Sequence, residues 1–212
     1  VGIKGYSGIG KTTLFNILTG LIKVSDNEVV ALSTESKKID LPEWQRIIGY
    51  VPQEVTILNA SIAENIAISI DFEIQRETEI TLREIIEKNK IYNKHFNISD
   101  SIREKIEKCI ERARLKEFVD SLPDGIFTVI GDGGSKISGG EKQRIGIARA
   151  LFKEPQILFF DEATNALDSK TESEISDSIK NLTEENHEIT FLIIAHRESS
   201  LAMCNRLIEI NK

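Results

Sequence analysis

The sequence predicts an α/β fold in which a sheet lobe is interrupted by an α-helical subdomain. Three observations predict it. A glycine-rich loop, GYSGIGKT at residues 5–12, lies between a short apolar stretch and a helical one. Apolar runs of strand length alternate with helix-forming stretches at both ends of the chain, as in a sheet covered by helices. Between those ends, residues 71–120 contain no Gly or Pro and are rich in Glu, Lys, Arg and Ile. The expected lobe is therefore residues 1–58 with 126–212. The expected subdomain is 59–125, extended around 71–100 and continuing into a helix over 138–152.

The elements follow in order. Val1 to Lys4 reads as a buried strand that delivers the glycine loop. The helix after the loop runs from Lys11 to about Thr19 and is closed by Gly20. Residues 29–41 read as a surface hairpin or loop, leading through Pro42 and Trp44 to a short strand in IIGYVPQ (47–53). In LNASIAENIAI, Asn59 or Ser61 is the expected helix cap, with Glu64 in the first turn. Ile102, Ile106, Ile110 and Ala113 recur at helical spacing and mark an amphipathic helix, and Ile80, Ile85, Ile86 and Ile91 suggest another before it. SLPDG (121–125) is a turn signal. After it come a glycine-rich loop, a helix from Gly140 to about Phe152, the strand QILFF, a polar helix over 169–182, the strand ITFLIIA and a last strand near RLIEI.

Bulk properties narrow the function. At 212 residues with 40% hydrophobic and 29% charged side chains, the chain suits one large domain or two small lobes with an ample core. A net charge of -7 argues against a nucleic-acid partner, which would call for a basic face. Cys109 and Cys204 lack metal-ligand spacing and read as thiols in a reducing compartment. His95 and His187 match no motif and read as surface residues. No apolar run approaches the roughly 20 residues needed to cross a bilayer. Only VGIKG is left to be the strand that delivers the glycine loop, which predicts a natural N-terminal part upstream.

Three stretches carry chemistry. Gly5, Gly10, Lys11 and Thr12 occupy the positions of a P-loop, G-x-x-x-x-G-K-T. Its glycines let successive N–H groups turn onto a polyphosphate, and the following helix adds its positive end. Lys11 is expected on the β- and γ-phosphates and Thr12 on Mg²⁺. QILFFDEAT (156–164) ends an apolar strand in two acids. That places Asp161 and Glu162 at the carboxyl edge of a sheet, where ligands bind. Asp161 suits Mg²⁺ through water, and Glu162 can orient or deprotonate an attacking water. Alone, this stretch also fits a strand followed by an acidic helix start, and the P-loop in the same chain favours the site. ISGGEKQRIGIARAL (137–151) puts Ser138, Gly139 and Gly140 at the mouth of a helix, a second anion-binding end. One γ-phosphate needs only one such end, so two chains placed head-to-tail would use both.

In this combination the sequence resembles the nucleotide-binding domain of an ABC transporter. Residues 5–13, from Gly5 through Tyr6, Ser7, Gly8, Ile9, Gly10, Lys11 and Thr12 to Thr13, match Walker A, and Ile157 to Glu162 match Walker B. Ser138-Gly139-Gly140-Glu141 with Lys142 and Gln143 matches the signature, with Ile137 for the commoner Leu and Glu141 for the commoner Gln. The resemblance implies a P-loop NTPase lobe that binds ATP and Mg²⁺ and hydrolyses the ATP. It implies that Gln53 touches Mg²⁺ and the transmembrane partner, that Asp168 in NALD crosses a dimer interface, and that His196 contacts the γ-phosphate. Catalysis would fall to Glu162, His196 and Lys11, and Mg²⁺ to Thr12, Gln53 and Asp161. The implied partners are a second nucleotide-binding domain, as a head-to-tail homodimer, and a transmembrane domain, at the cytoplasmic face of a membrane.

WQRIIGYVPQEVTILNASIAENIA and LKEFVDSLPDGIFTVIGDGG resemble exporter-type domains fused behind membrane helices, rather than a free-standing importer subunit or a soluble ATPase. Three departures accompany the likeness. The loop Val129–Ser135 lacks the arginine usual at the exporter contact, though Asp132 supplies an acid. The aromatic residue that stacks on adenine would lie upstream of Val1. The helical block around 71–100 is longer than usual and reads either as a solvated extension or as a partner contact.

Overall fold

The computed structural model describes residues 1–6, 8–24, 31–32, 36–68, 99–131, 137–162, 169–185, 189–195, 201–202 and 204–211. They divide into two compact units: Val1–Val55 with Lys153–Lys212, and Thr56–Phe152.

The first unit is built on five strands: β1 (Gly2–Gly5), β2 (Ile48–Val51), β3 (Ile157–Asp161), β4 (Thr190–Ile194) and β5 (Leu207–Ile210). Their spatial order is β2-β3-β4-β1-β5 and every pair is parallel. Parallel sheets are covered on both faces, so their strands read as continuous apolar runs, as ILFF and TFLII do. Strands β2 and β3 are in register at Ile48–Ile157 and Tyr50–Phe159, and β3 and β4 at Phe159–Leu192. Ile3, Phe15, Ile48, Phe159 and Ile194 form one buried cluster. Within it, Phe15 meets Phe159 edge-on with ring centroids 5.0 Å apart.

Helix α1 (Lys11–Leu18) follows the glycine loop, ends on Thr19 and is closed by Gly20 at φ +74. A side chain at Gly20 would strike Leu41. Helix α2 (Leu41–Ile47) occupies the stretch expected to be a loop up to the strand. Asp40 caps it by accepting from Glu43 N at 2.8 Å, and Pro42 falls in the first turn, where its missing N–H costs nothing. Trp44 Nε1 donates to Leu18 O at 2.6 Å, satisfying a carbonyl that α1 leaves unpaired at its end. The long helix α7 (Ser169–Glu185) buries Ile175, Ile179 and Leu182.

The second unit holds α3 (Ile62–Ile66), α4 (Asp100–Arg112), α5 (Lys116–Asp120), a 3₁₀ turn (Gly125–Phe127) and α6 (Gly139–Phe152). Helix α6 packs on α3 and α4. Ile62, Ile66, Ile106, Leu115, Ile145, Ile147 and Leu151 are buried there. Of the two caps expected for α3, Ser61 holds the place, in a reciprocal capping box with Glu64. Expected from its Ile spacing, α4 buries Ile106 and Ile110 on one face. The expected boundary at 126 falls inside this unit. Ile62 N donates to Thr128 O and Ile130 N to Ala60 O, which ties 128–130 to the start of α3. The second helix proposed from Ile80 to Ile91 lies outside the described residues. Cys109 is buried, Cys204 is half-buried, and neither forms a disulfide. No helix among the described residues is long and apolar enough to cross a membrane.

Candidate functional site

The site is assembled at the carboxyl ends of β1 and β3, two strands separated in the sheet by β4. The loop after β1 turns on Gly10 at φ +100, a left-handed conformation that glycine reaches without strain, and enters α1 directly. Lys11, the first residue of α1, is buried to 4% exposure. Its Nζ donates to Gly5 O at 3.0 Å and to Tyr6 O at 3.1 Å, and lies 3.9 Å from a Glu162 carboxylate oxygen. The ammonium thus spans the loop's own carbonyls, a position from which a phosphate can recruit it.

Asp161 closes β3 and is 2% exposed. Thr12 Oγ1 donates to its Oδ1 at 3.2 Å, across 149 residues of chain. Tyr50, on the neighbouring strand β2, donates its hydroxyl to Oδ2 at 3.1 Å. Burial raises the Asp161 pKa above the usual carboxylate range, and the two hydroxyl donors act against that rise. Burial, and then the Asp161 charge, push the Tyr50 phenol above its ordinary value, so it stays protonated and donating. Glu162 sits at φ +47, an uncommon left-handed position for a non-glycine residue. Its N–H donates to Ile194 O at 3.0 Å, fastening the end of β3 to the end of β4.

Sequence reasoning proposed Lys11, Thr12, Asp161 and Glu162 as one site, and the sheet brings these four together. Of the remaining loop positions, Tyr6, Gly8 and Thr13 are exposed, while Gly5, Ile9 and Gly10 are half-buried. Gln53, two residues past β2, is exposed. Ser7, Asp168 and His196 lie outside the described residues, as does Asp132. Tyr50 was not singled out from sequence, because nothing in IIGYVPQ says which strand lies beside it.

In the second unit Ser138, Gly139 and Gly140 lead into α6. Ser138 and Gly139 are exposed and Gly140 is buried. Ser138 N donates to a Glu141 carboxylate oxygen at 2.6 Å, and Glu141 N donates to Ser138 Oγ at 3.3 Å. Farther along α6, Arg149 donates to Asn65 O at 2.8 Å, Thr56 O at 3.0 Å and Asn65 Oδ1 at 3.2 Å. Asn65 in turn bonds both the N–H and the carbonyl of Leu58.

Comparisons with known proteins agree with this geometry. Residues 1–165 match a family profile described as "ABC transporter". The chain is 32% identical over its whole length to the mitochondrial iron-sulfur clusters transporter ATM1 of Candida albicans, of which it covers 24%. It is 34% identical over 98% of its length to the ATP-dependent lipid A-core flippase of Ralstonia nicotianae, covering 30% of that protein. With the colicin V secretion/processing ATP-binding protein CvaB of Escherichia coli it shares 35% identity over 99% of its length, covering 25%. The chain therefore spans about a quarter to a third of the length of these relatives. A solved bacterial Atm1-family ABC exporter with ATP bound superposes with a TM-score of 0.72 at 29% identity, over 99% of this chain and 31% of that one. The parallel sheet, the P-loop with its Asp161–Glu162 edge and these matches agree, and the chain belongs to the ABC transporter family, as an ATP-binding domain.

Proposed function

We propose that this chain binds ATP with Mg²⁺, hydrolyses the ATP, and so powers export by a transporter of which it is the ATPase part. The observation that carries this reading is the meeting of Lys11, Thr12, Asp161 and Glu162 at one sheet edge. Lys11 exchanges the carbonyls of Gly5 and Tyr6 for the β- and γ-phosphates. Glu162 accepts the proton of the attacking water, with His196 holding the γ-phosphate. Catalysis here is positioning plus electrostatic stabilisation, with little covalent chemistry for the protein to perform.

The Thr12 hydroxyl and Asp161 carboxylate, 3.2 Å apart, are two hard oxygen donors. Mg²⁺ keeps several waters and takes few protein ligands, so this pair fits it, with Gln53 as the further ligand. When bound, Mg²⁺ neutralises phosphate charge.

The second half of each site is assigned to another copy. Ser138, Gly139, Gly140 and Glu141 of one domain would close on the ATP held by the P-loop of the other, with Asp168 at the interface. The support is that each chain carries two helix starts led in by glycine, at Lys11 and at Gly139. Gln53 and the loop 129–135 would face the transmembrane domain, on the cytoplasmic side of the membrane. The matched relatives are named for iron-sulfur clusters, lipid A-core and colicin V, so the cargo is set outside the part they share with this chain. Sedimentation of Glu162→Gln with ATP tests the pairing. A dimer that forms with ATP and is lost on adding Ser138→Arg supports it, and a monomer under both conditions refutes it.

A further inference from the structure

We infer that Tyr50 is a positioning residue for the metal-binding edge of the site, holding the Asp161 carboxylate in the orientation that presents its other oxygen beside Thr12. The inference rests on the ATPase reading above and adds a residue to it. Its geometry follows from the sheet. Tyr50 is paired in parallel register with Phe159, so the two side chains share a face. Asp161 is two residues beyond Phe159 on the same strand, which returns it to that face. Phe15, one turn along α1 from Thr12, meets Phe159 there too. A tyrosine at this position of β2 therefore brings its hydroxyl to the end of β3, while Thr12 approaches from α1.

The carboxylate then has one donor on each oxygen, Tyr50 on Oδ2 at 3.1 Å and Thr12 on Oδ1 at 3.2 Å. A carboxylate is broad and roughly two-fold about its terminal torsion, so one hydrogen bond leaves it free to swing and two on opposite oxygens do not. The Thr12 hydroxyl and Oδ1 are the atoms suited to the metal. The Tyr50 bond grips the oxygen that Thr12 does not, and it is the one that does not compete with metal binding. Groups that orient a ligand in this way commonly carry much of a site's metal affinity.

A plain structural role is the alternative, since the Tyr50 ring packs against the buried cluster around Phe159 and a half-buried phenol needs a partner. The two roles separate in Tyr50→Phe, which keeps the ring and removes only the hydroxyl. In the full chain, binding of the fluorescent nucleotide mant-ATP is measured in EDTA and across a series of free Mg²⁺ concentrations. The positioning role predicts affinity in EDTA within about twofold of wild type and a half-saturating Mg²⁺ raised about tenfold. Direct Mn²⁺ binding, followed by its electron paramagnetic resonance signal, should weaken by a similar factor. The effect should vanish in an Asp161→Asn background, because Tyr50 acts through that carboxylate. An unchanged Mg²⁺ midpoint with a lowered melting temperature would overturn the inference and leave Tyr50 a packing residue. A wild-type chain that binds no mant-ATP, with or without Mg²⁺, would instead overturn the ATPase reading itself.

Discussion

Asp161 shows at the scale of one residue how the site trades stability for chemistry. Its raised pKa means that the folded protein holds the proton more tightly than the unfolded chain. Its contribution is thus fully present below the ordinary carboxylate value and is lost as pH rises through the folded value. Asp161→Asn should remove that fall and raise the urea midpoint of the metal-free protein at neutral pH, while abolishing turnover. A midpoint unchanged or lowered at neutral pH would count against a costly buried charge. Glu162 carries a second local cost in its left-handed backbone, worth about 1–3 kcal/mol. Glu162→Gly should release that strain and stabilise the fold, whereas Glu162→Gln keeps the backbone and removes only the carboxylate. Lys11→Ala should lower turnover by about a hundredfold or more, measured by phosphate release, because the charge developing on the γ-phosphate loses its main counterion. Lys11, Thr12, Asp161 and Glu162 were legible in the sequence because each lies inside a motif whose spacing is set locally. The Tyr50 bond was not, because it depends on β2 lying beside β3, a pairing across about a hundred residues that no local pattern states.

Among the elements, α3 and α6 show where local signals are sufficient and where they stop. Ser61 and Glu64 form a box of side chains three residues apart, so the start of α3 could be read as one of two caps. Ser61→Ala should cost about 1 kcal/mol in a denaturant titration. Arg149 reaches from α6 to the carbonyls of Thr56 and Asn65, and burial lowers its pKa below the ordinary arginine value. Arg149→Met keeps the length and removes the donors, so about 1–3 kcal/mol should be lost as the acceptors of buried Asn65 go unpaired. A loss below about 0.5 kcal/mol would show that water replaces the guanidinium. Helix α2 was missed for a physical reason. Pro42 reads as a breaker in isolation, yet with Asp40 ahead of it the same residue opens a helix. The anchoring bond from Trp44 to Leu18 O is tertiary and leaves no trace in the local sequence.

For the molecule as a whole, the alternation of strand and helix stretches predicted an α/β lobe, and the observed all-parallel sheet carries the same class. The strand order β2-β3-β4-β1-β5 could not be read, since apolar runs say that strands are buried but not which are neighbours. The expected boundary at 126 falls inside the unit Thr56–Phe152, where 128–130 bond to the start of α3. The cluster around Phe159 makes the first unit sensitive at its centre. Phe159→Ala should cost about 3–5 kcal/mol in chemical denaturation, through lost burial and the cavity left beside Phe15. ATP hydrolysis at the Asp161–Glu162 edge is tested most directly by phosphate release from wild type and Glu162→Gln at saturating Mg²⁺ and ATP, with nucleotide binding measured in parallel. The expected result is a steady wild-type rate, retained binding in Glu162→Gln, and turnover reduced there by about 10²–10⁴-fold. A Glu162→Gln protein that hydrolyses ATP at the wild-type rate would contradict it.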